Sequence, residues 1–337
     1  MLRNLAARFR RWFLGESLWG FGLEPDALRL NIKNFGYELA RALAPGLARV
    51  DVSGEPSVHG LRCKATTQAD VESAWFGWWC QELKIAPLYH RKLWEYAFLL
   101  QALFENGALR PGMHGLGFGC GEEPIASYLA SKGISVTVTD LDPARARGLG
   151  WMETAQHTSA VEQAFKPDLV SRDRFDGLVR LDYVDMNDIP SRFHGQYDFC
   201  WSICALEHLG SIENGMRFVE NAMATLKPGG LAVHTTEFNY LSENETLDEP
   251  PTVLFLRRHF VELRERLQRA GHRVSELDFD TGNGPLDRFI DLPPYEWDAA
   301  GKRAFGTDVG RLKLAVGRFP STCFGIVIQA SNSGGQR

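Results

Sequence analysis

Apolar and polar positions alternate in a regular plan between about residue 110 and residue 240. Apolar runs of strand length, rich in β-branched residues, are separated by stretches whose apolar residues recur at helical spacing. The predicted strands are Ile134–Thr139, Leu178–Val184, Tyr197–Cys204 and Leu231–Thr235, with another entering the glycine-rich segment that begins at Gly115. Strands that alternate with helices predict an α/β fold, in which a mostly parallel sheet carries helices on both faces.

The chain before this region is helical and aromatic in character. Residues 24–46 predict one helix, and Ser73–Leu103 predicts two helices that are dense in aromatic residues and separated at Pro87. We therefore predict an N-terminal helical extension or cap over residues 1–104 and a sheet domain over residues 105–330, followed by a polar tail over 331–337. A stretch rich in Gly and Pro, residues 281–320, predicts an acceptor-side insertion in the sheet domain.

Residues 1–20 place apolar side chains at helical spacing, with arginines largely on the other faces. This pattern is typical of a helix that lies on a membrane surface, and it also suits a helix that docks its aromatic side on its own protein. We favour docking and keep peripheral membrane contact as the alternative. No apolar run in this segment reaches membrane-spanning length.

Composition limits the class of partner. The 337 residues are 44% apolar and carry a formal net charge of −5, which gives no general attraction to nucleic acid or to anionic membranes. We therefore expect a small-molecule partner and no nucleic-acid partner, while the oligomeric state stays open. The six cysteines form no CxxC pair, which suits reduced thiols in the cytoplasm, at most near the inner face of the membrane. Their spacing indicates neither a disulfide framework nor a zinc site.

Glycine occupies every second position from Gly115 to Gly121, and Pro124 is placed to begin a helix. The next predicted strand ends on Asp140, where a carboxylate can accept hydrogen bonds from a ribose. A dinucleotide fingerprint would need the spacing GxGxxG, and no window here provides it. The segment therefore predicts a nucleoside ligand other than NAD.

The ordered motifs resemble the class I S-adenosylmethionine-dependent methyltransferases. They comprise the glycine loop, acids after the second and third strands, Leu206-Glu207-His208 after the fourth strand, and Lys227-Pro228-Gly229-Gly230 before the fifth. The resemblance implies S-adenosylmethionine as cofactor and a Rossmann-like, seven-stranded, mostly parallel sheet with helices on both faces. The cofactor-binding residues that it implies are Gly117, Gly119, Gly121, Asp140 for the ribose, and Asp185 and Met186 for the adenine.

Two positions depart from the family pattern. Gly117 stands where many members carry an acid, and Glu123 stands where they carry glycine. We expect Glu122 or Glu123 to supply the missing negative group for the methionine ammonium of the cofactor.

Methyl transfer to a hydroxyl needs an in-line arrangement and a group that removes the acceptor proton. His208, with Glu207 beside it, is the preferred candidate, and His234 is the second, since both histidines lie at the ends of predicted strands. The candidate acceptor contacts are Glu237, Asn239 and Arg91.

Ubiquinone-type O-methyltransferases are similar in the glycine loop, and that resemblance implies a metal-assisted alternative. Glu207, His208 and Glu237 would then hold a divalent ion such as magnesium. Those enzymes have a further Glu three residues before the Glu-His pair, and Cys204 stands there in this chain. We therefore predict no metal site and keep a divalent metal as the disfavoured alternative.

These features predict an S-adenosylmethionine-dependent O-methyltransferase whose acceptor is a sugar hydroxyl of a bacterial surface glycan or a related small polar molecule. The glycan assignment rests on analogy with similar bacterial proteins. The alternatives are methylation of a lipid, phenol or amine, and a non-catalytic protein that binds the cofactor. RNA is not an expected substrate, because no basic platform is apparent.

Overall fold

The computed structural model describes residues 25–47, 54–148, 159–295 and 310–332. The predicted helix over residues 1–20 lies outside them. The helices are α1 (Pro25–Leu43), α2 (Gln68–Val71), α3 (Ala74–Glu82), α4 (Arg91–Glu105), α5 (Ile125–Ser131), α6 (Pro143–Gly148), α7 (Arg172–Leu178), α8 (Ile212–Ala222), α9 (Arg257–Arg269) and α10 (Pro285–Arg288). No helix among these described segments is long and apolar enough to cross a membrane.

Thirteen strands occur in the same ranges, and all but two of them join one large sheet. They are β1 (Cys63–Ala65), β2 (His114–Phe118), β3 (Ser135–Asp140), β4 (Val179–Tyr183), β5 (Tyr197–Ile203), β6 (Leu226–Asn239), β7 (Asp248–Glu249), β8 (Thr252–Val253), β9 (Arg273–Val274), β10 (Leu277–Asp278), β11 (Ile290–Asp291), β12 (Lys313–Val316) and β13 (Phe319–Gln329). Strands β7 and β8 form a separate hairpin.

The central order is β10-β1-β13-β6-β5-β2-β3-β4. The pairs from β6 to β4 are parallel, and β13 runs antiparallel to β6. This arrangement confirms the predicted α/β fold with its mostly parallel sheet. The carboxyl ends of β2, β3, β4, β5 and β6 therefore meet at one edge, which is where ligands bind in open sheets of this type.

Both faces of the sheet are covered by helices. On one face, α4 approaches so closely that a Cβ at Gly325 would lie 2.3 Å from the ring of Phe98. On the other face, the ring of Phe260 on α9 stacks on Phe324 at a centroid distance of 4.2 Å. Adjacent residues of β13 therefore serve opposite faces, as the period of a strand requires.

The far edge of the sheet is wider than the seven-strand expectation. Two short strands, β9 and β10, lie at this edge, and β1 from the N-terminal region pairs with both β10 and β13. Part of the predicted insertion is also sheet, because β12 pairs with β13 and with β11. The N-terminal region thus shares a core with the sheet, and the domain boundary at residue 104 stays a prediction.

Candidate functional site

The glycine loop follows β2 and turns sharply into α5. Gly119 and Gly121 have φ values of +59° and +52°, a region that residues with a Cβ rarely adopt. A Cβ on Gly119 would lie 2.8 Å from the Cβ of Ala205 and 3.4 Å from the sulfur of Met186. The loop therefore passes against the segments that follow β5 and β4, and glycine at position 119 permits this close approach.

Asp140 ties the loop to the end of β3. Its buried carboxylate accepts a hydrogen bond from the backbone N–H of Gly121 at 3.2 Å and one from Leu141 N–H at 2.8 Å. The acid predicted to bind a ribose thus also fixes the backbone that would face that ribose.

Asp185 and Met186 follow β4 at the same edge of the sheet. The carboxylate of Asp185 accepts a hydrogen bond from Asn187 N–H at 2.9 Å and forms an ion pair with Arg145 at 2.8 Å. Met186 is buried beside Gly119. The structure therefore brings the predicted adenine contacts next to the glycine loop.

The two adjacent acids at the end of the loop differ in environment. Glu122 is exposed and accepts a hydrogen bond from Gln163 Nε2 at 3.0 Å. Glu123 has a buried Oε2 with no hydrogen-bond partner. Burial, with Glu95 and Asp140 nearby, raises the pKa of Glu123 to about 8 in spite of Lys92. Of the two candidates for the methionine ammonium, Glu123 is the one with an unsatisfied carboxylate oxygen.

Helix α4 brings charged side chains over the ends of β5 and β6. Arg91 forms an ion pair with Glu237, whose other carboxylate oxygen accepts a hydrogen bond from Ser321 Oγ. One turn further along the helix, Glu95 is fully buried and lies 3.7 Å from Lys92 Nζ. Burial acts to raise the pKa of Glu95, but the attraction of Lys92 and Arg91 outweighs it and lowers that pKa. The ion pair between Lys92 and Glu95 is therefore charged at neutral pH.

Glu207 and His208 lie in a short 3-10 helix just after β5. Glu207 is 1% exposed, and its carboxylate accepts a hydrogen bond from Thr236 Oγ1 at 3.1 Å. Burial, together with the charge of Glu237, raises the pKa of Glu207 to about 8. Most Glu207 side chains are therefore protonated at neutral pH.

His208 is partly exposed, and its Nδ1 lies 2.9 Å from the carbonyl oxygen of Pro251, in the turn between β7 and β8. A carbonyl oxygen can only accept, so Nδ1 carries the proton and the lone pair is on Nε2. Burial lowers the pKa of His208, which keeps the imidazole neutral. This tautomer is the one that a general base requires.

Two predicted site residues lie elsewhere. His234 was placed at the end of a strand, which is wrong, because β6 continues to Asn239 and leaves His234 fully buried against Phe218 with its Nδ1 2.8 Å from Ser202 Oγ. Burial lowers its pKa to about 3. Asn239 is also buried, and its amide donates to the carbonyl oxygen of Glu245 at 3.0 Å, which holds the loop after β6.

Sequence reasoning missed several residues at this end of the sheet, among them Glu95, Cys204, Thr235 and Cys323. An acid inside an otherwise aromatic helix was the available signal for Glu95. In the described part of the chain, two groups of three donor atoms lie within 4.8 Å of one another: Glu95, Cys204 and Cys323, and Cys204, Glu207 and Glu237. His208 belongs to neither, so the set of Glu207, His208 and Glu237 in the disfavoured magnesium alternative is not one of these groups.

Comparisons with known proteins give a family match and several similar solved structures. A family model described as a methyltransferase domain matches residues 89–283. The chain is similar to a solved S-adenosylmethionine-dependent methyltransferase from Aquifex aeolicus, with 17% identity over 68% of this chain and 88% of that chain and a TM-score of 0.36. A similar protein from Methanosarcina mazei gives 19% identity, 66% and 93% coverage, and a TM-score of 0.36.

A third solved structure, the [4+2]-cyclase SpnF, is 16% identical over 88% of this chain and 97% of that chain, with a TM-score of 0.47. A comparison with curated protein sequences finds no match.

Proposed function

The chain belongs to the methyltransferase domain family, and from this premise we propose that it methylates a hydroxyl of a small polar acceptor with S-adenosylmethionine. The acceptor that fits best is a sugar, such as one of a bacterial surface glycan. The observation that carries the proposal is the neutral His208, held by Pro251 in the tautomer with its lone pair on Nε2, at the edge of the sheet that also carries the glycine loop and Asp140. A site of this kind can both hold a nucleoside and take a proton from a hydroxyl.

The residues at the glycine loop fit the cofactor that the family implies. Gly119 lets the loop backbone lie close to Ala205 and Met186, and Asp140 lies at the strand end where a ribose is bound in sheets of this type. Met186 adds an apolar surface for the adenine, and Asp185 an acceptor for its amino group. S-adenosylmethionine supplies, when bound, an electrophilic methyl group on a sulfonium.

Glu123 is the proposed partner of the methionine ammonium. Its buried and unsatisfied carboxylate oxygen is costly unless a cation or a donor reaches it, and an ammonium supplies both. Glu122 is exposed and already bound to Gln163, so it serves as a matched control.

The test of this role compares two ligands by calorimetry. S-adenosylhomocysteine carries the ammonium, whereas 5′-methylthioadenosine lacks the amino-acid portion. Glu123→Gln should weaken binding of the first roughly 10- to 100-fold, the value of a hydrogen bond to a charged group, and leave the second unchanged. Glu122→Gln should alter neither. Equal effects of Glu123→Gln on both ligands would overturn the role.

In the proposed reaction, His208 accepts the acceptor proton on Nε2 as the oxygen attacks, while its Nδ1–H stays on the carbonyl oxygen of Pro251. Arg91 and Lys92 are partly exposed and can bind acceptor hydroxyls, and their ion pairs with Glu237 and Glu95 hold them in place. Glu207 accepts a hydrogen bond from Thr236 and lies in the same 3-10 helix as His208. Fixed groups of this kind position the acceptor before the reaction and lower its entropic cost.

The charged lining supports a polar acceptor over a lipid, because a long apolar chain would leave Arg91 and Lys92 without compensation for lost water. Formation of S-adenosylhomocysteine should therefore be stimulated by hydroxylated sugars in an acceptor panel that also contains phenols, amines and lipids. Turnover on apolar or amine acceptors alone would contradict the proposed substrate class. Tight cofactor binding without turnover on any acceptor would favour a non-catalytic binding protein.

A further inference from the structure

We propose that Cys204, Cys323 and Glu95 form a binding site for a zinc-class divalent cation at the sheet end of α4. The two thiol sulfurs lie 3.7 Å apart, and one carboxylate oxygen of Glu95 lies within 4.8 Å of both. Two thiolates bound to one tetrahedral zinc, each about 2.3 Å from the metal, stand about 3.8 Å apart. The observed separation of the sulfurs therefore matches the one that a shared zinc ion requires.

The same two cysteines are badly placed for a disulfide. The backbone of Cys204 donates its N–H to Thr235 of β6, and Cys323 pairs with Glu237 of β6 from the other side. Strand β6 thus separates the two backbones by two strand spacings, about 9.5 Å, whereas a disulfide needs Cα atoms closer than about 7 Å. Side chains that meet across an intervening strand can be bridged by a metal ion without movement of the backbone.

Glu95 supplies a third ligand and a second, independent sign of a cation. It is fully buried one turn from the start of α4; Thr235 Oγ1 donates to its Oε2, while its Oε1 has no hydrogen-bond partner. Lys92 is 3.7 Å from that oxygen, which is too long for a hydrogen bond. Glu95 therefore has a carboxylate oxygen that is available to bind a metal ion, and this buried carboxylate lies close to both cysteine sulfurs.

The charges balance when the cation is present. A divalent ion contributes +2, the two thiolates −2 and Glu95 −1, and Lys92 supplies the remaining +1. The two thiol protons leave to solvent on binding, as for any thiolate site. Lys92 is thus compatible with the site.

A fourth ligand is available from the neutral carboxyl group of Glu207, which lies within 4.8 Å of the sulfur of Cys204 and adds no charge to this balance. Glu237 is equally close to that sulfur but is already paired with Arg91. This donor set differs from the magnesium set considered above, because soft thiolates select zinc, cadmium or cobalt over magnesium. The cation would join α4, the end of β5 and β13, independently of any methyl transfer.

The test titrates the full chain, first freed of metal with a chelator, with cobalt(II). We expect one equivalent to bind and to produce the absorption of cobalt–thiolate charge transfer, with displacement by zinc. Cys204→Ser and Cys323→Ser should each weaken cobalt binding at least about 100-fold and diminish that band. Cys80→Ser alters another buried cysteine, in α3, and should leave the titration unchanged.

X-ray absorption of the cadmium-loaded wild-type protein counts the ligands without any variant and should show two sulfurs. No saturable thiolate band in the wild type, or cadmium with no sulfur ligand, would overturn the site. The readout is metal binding, so its failure leaves the methyltransferase proposal intact. Loss of turnover on every acceptor leaves the metal site intact in the same way.

Discussion

The two halves of the candidate site are built in different ways. The cofactor half uses backbone geometry and a few carboxylates, since Gly119 and Gly121 adopt positive φ and Asp140 holds the loop through N–H groups. The acceptor half consists of polar and charged side chains from α4, the 3-10 helix after β5, β6 and β13, and most of them are buried. The first is fixed by about thirty consecutive residues, and the second exists only after distant segments have packed.

Because the two halves are built differently, substitutions in them should affect different properties of the protein. Changes in the cofactor half should alter the affinity for S-adenosylmethionine and leave the stability of the fold largely intact. Changes in the acceptor half should alter either turnover or the free energy of unfolding, because the same ion pairs serve both. The comparison fails if the two halves respond alike.

The largest expected effect is that of His208→Ala on turnover. Removal of a general base costs about 10²- to 10⁴-fold in kcat, and the affinity for S-adenosylhomocysteine should not change. His194→Ala, at an exposed histidine outside the site, is the matched control. Single-turnover assays with saturating cofactor measure the rate of the methyl-transfer step. A kcat near the wild-type value in the His208 variant would show that His208 is not the general base, and the proposed role of the acceptor half in the reaction would fail with it.

The next effect is on stability and concerns the pair Arg91–Glu237. Arg91→Met leaves the Glu237 carboxylate largely buried with Ser321 as its remaining partner, and breaking such a pair costs about 3 kcal/mol. Arg172→Met removes exposed ion pairs with Asp176 and Glu162 and should cost far less, because water screens both of them. Urea denaturation gives both values. Equal losses would show that the acceptor half does not stabilise the fold.

The sequence allowed most of the cofactor half to be predicted because its signals are local. The spacing of the glycines, the strand that ends on Asp140 and the acid that follows β4 all lie close to the elements that position them. The α/β fold was predictable for the same reason. Which of Glu122 and Glu123 faces inward was not, because that depends on Gln163 and on the packing of α4.

The acceptor half was predictable only as separate residues. Arg91, Glu207, His208 and Glu237 were each named, but the Arg91–Glu237 pair joins positions whose contact no spacing reveals. Cys204 and Cys323 lie 119 residues apart, so the absence of a CxxC motif carried no information about their proximity.

The misplacement of His234 has the same origin. Residues Thr236–Asn239 extend β6 because Ser321–Phe324 of β13 pair with them. The end of β6 is therefore set by β13, which follows it in the chain: Ser321 and Glu237, which contact each other, are 84 residues apart.

A smaller effect is expected for Asp140→Asn in the cofactor half. The amide keeps the shape but loses the charge that strengthens the hydrogen bond from Gly121 N–H and those from a ribose, which is worth about 1.5–3 kcal/mol. The Kd for S-adenosylhomocysteine should rise roughly 10- to 100-fold, with kcat at saturating cofactor unchanged. Asp142→Asn, at an exposed acid in the same loop, controls for local charge. A fall in kcat with an unchanged Kd would contradict the division between the two halves.

The smallest effect is a pH dependence that belongs to the acceptor half alone. The folded-state pKa of Glu207 is about 8, above its ordinary value of 4.5, because the carboxyl is buried next to Glu237. Between these values the folded chain binds more protons than the unfolded chain, so the stabilisation is complete below pH 4.5 and is lost as the pH rises through 8. Glu207→Gln keeps the neutral hydrogen-bonding shape and removes the titration. The free energy of unfolding of the wild type should therefore fall by about 1 kcal/mol relative to the variant between about pH 7 and pH 8. Parallel curves for the two proteins would mean that Glu207 is ionised in the folded chain, and the acceptor half would then hold one more negative charge than its buried ion pairs can balance.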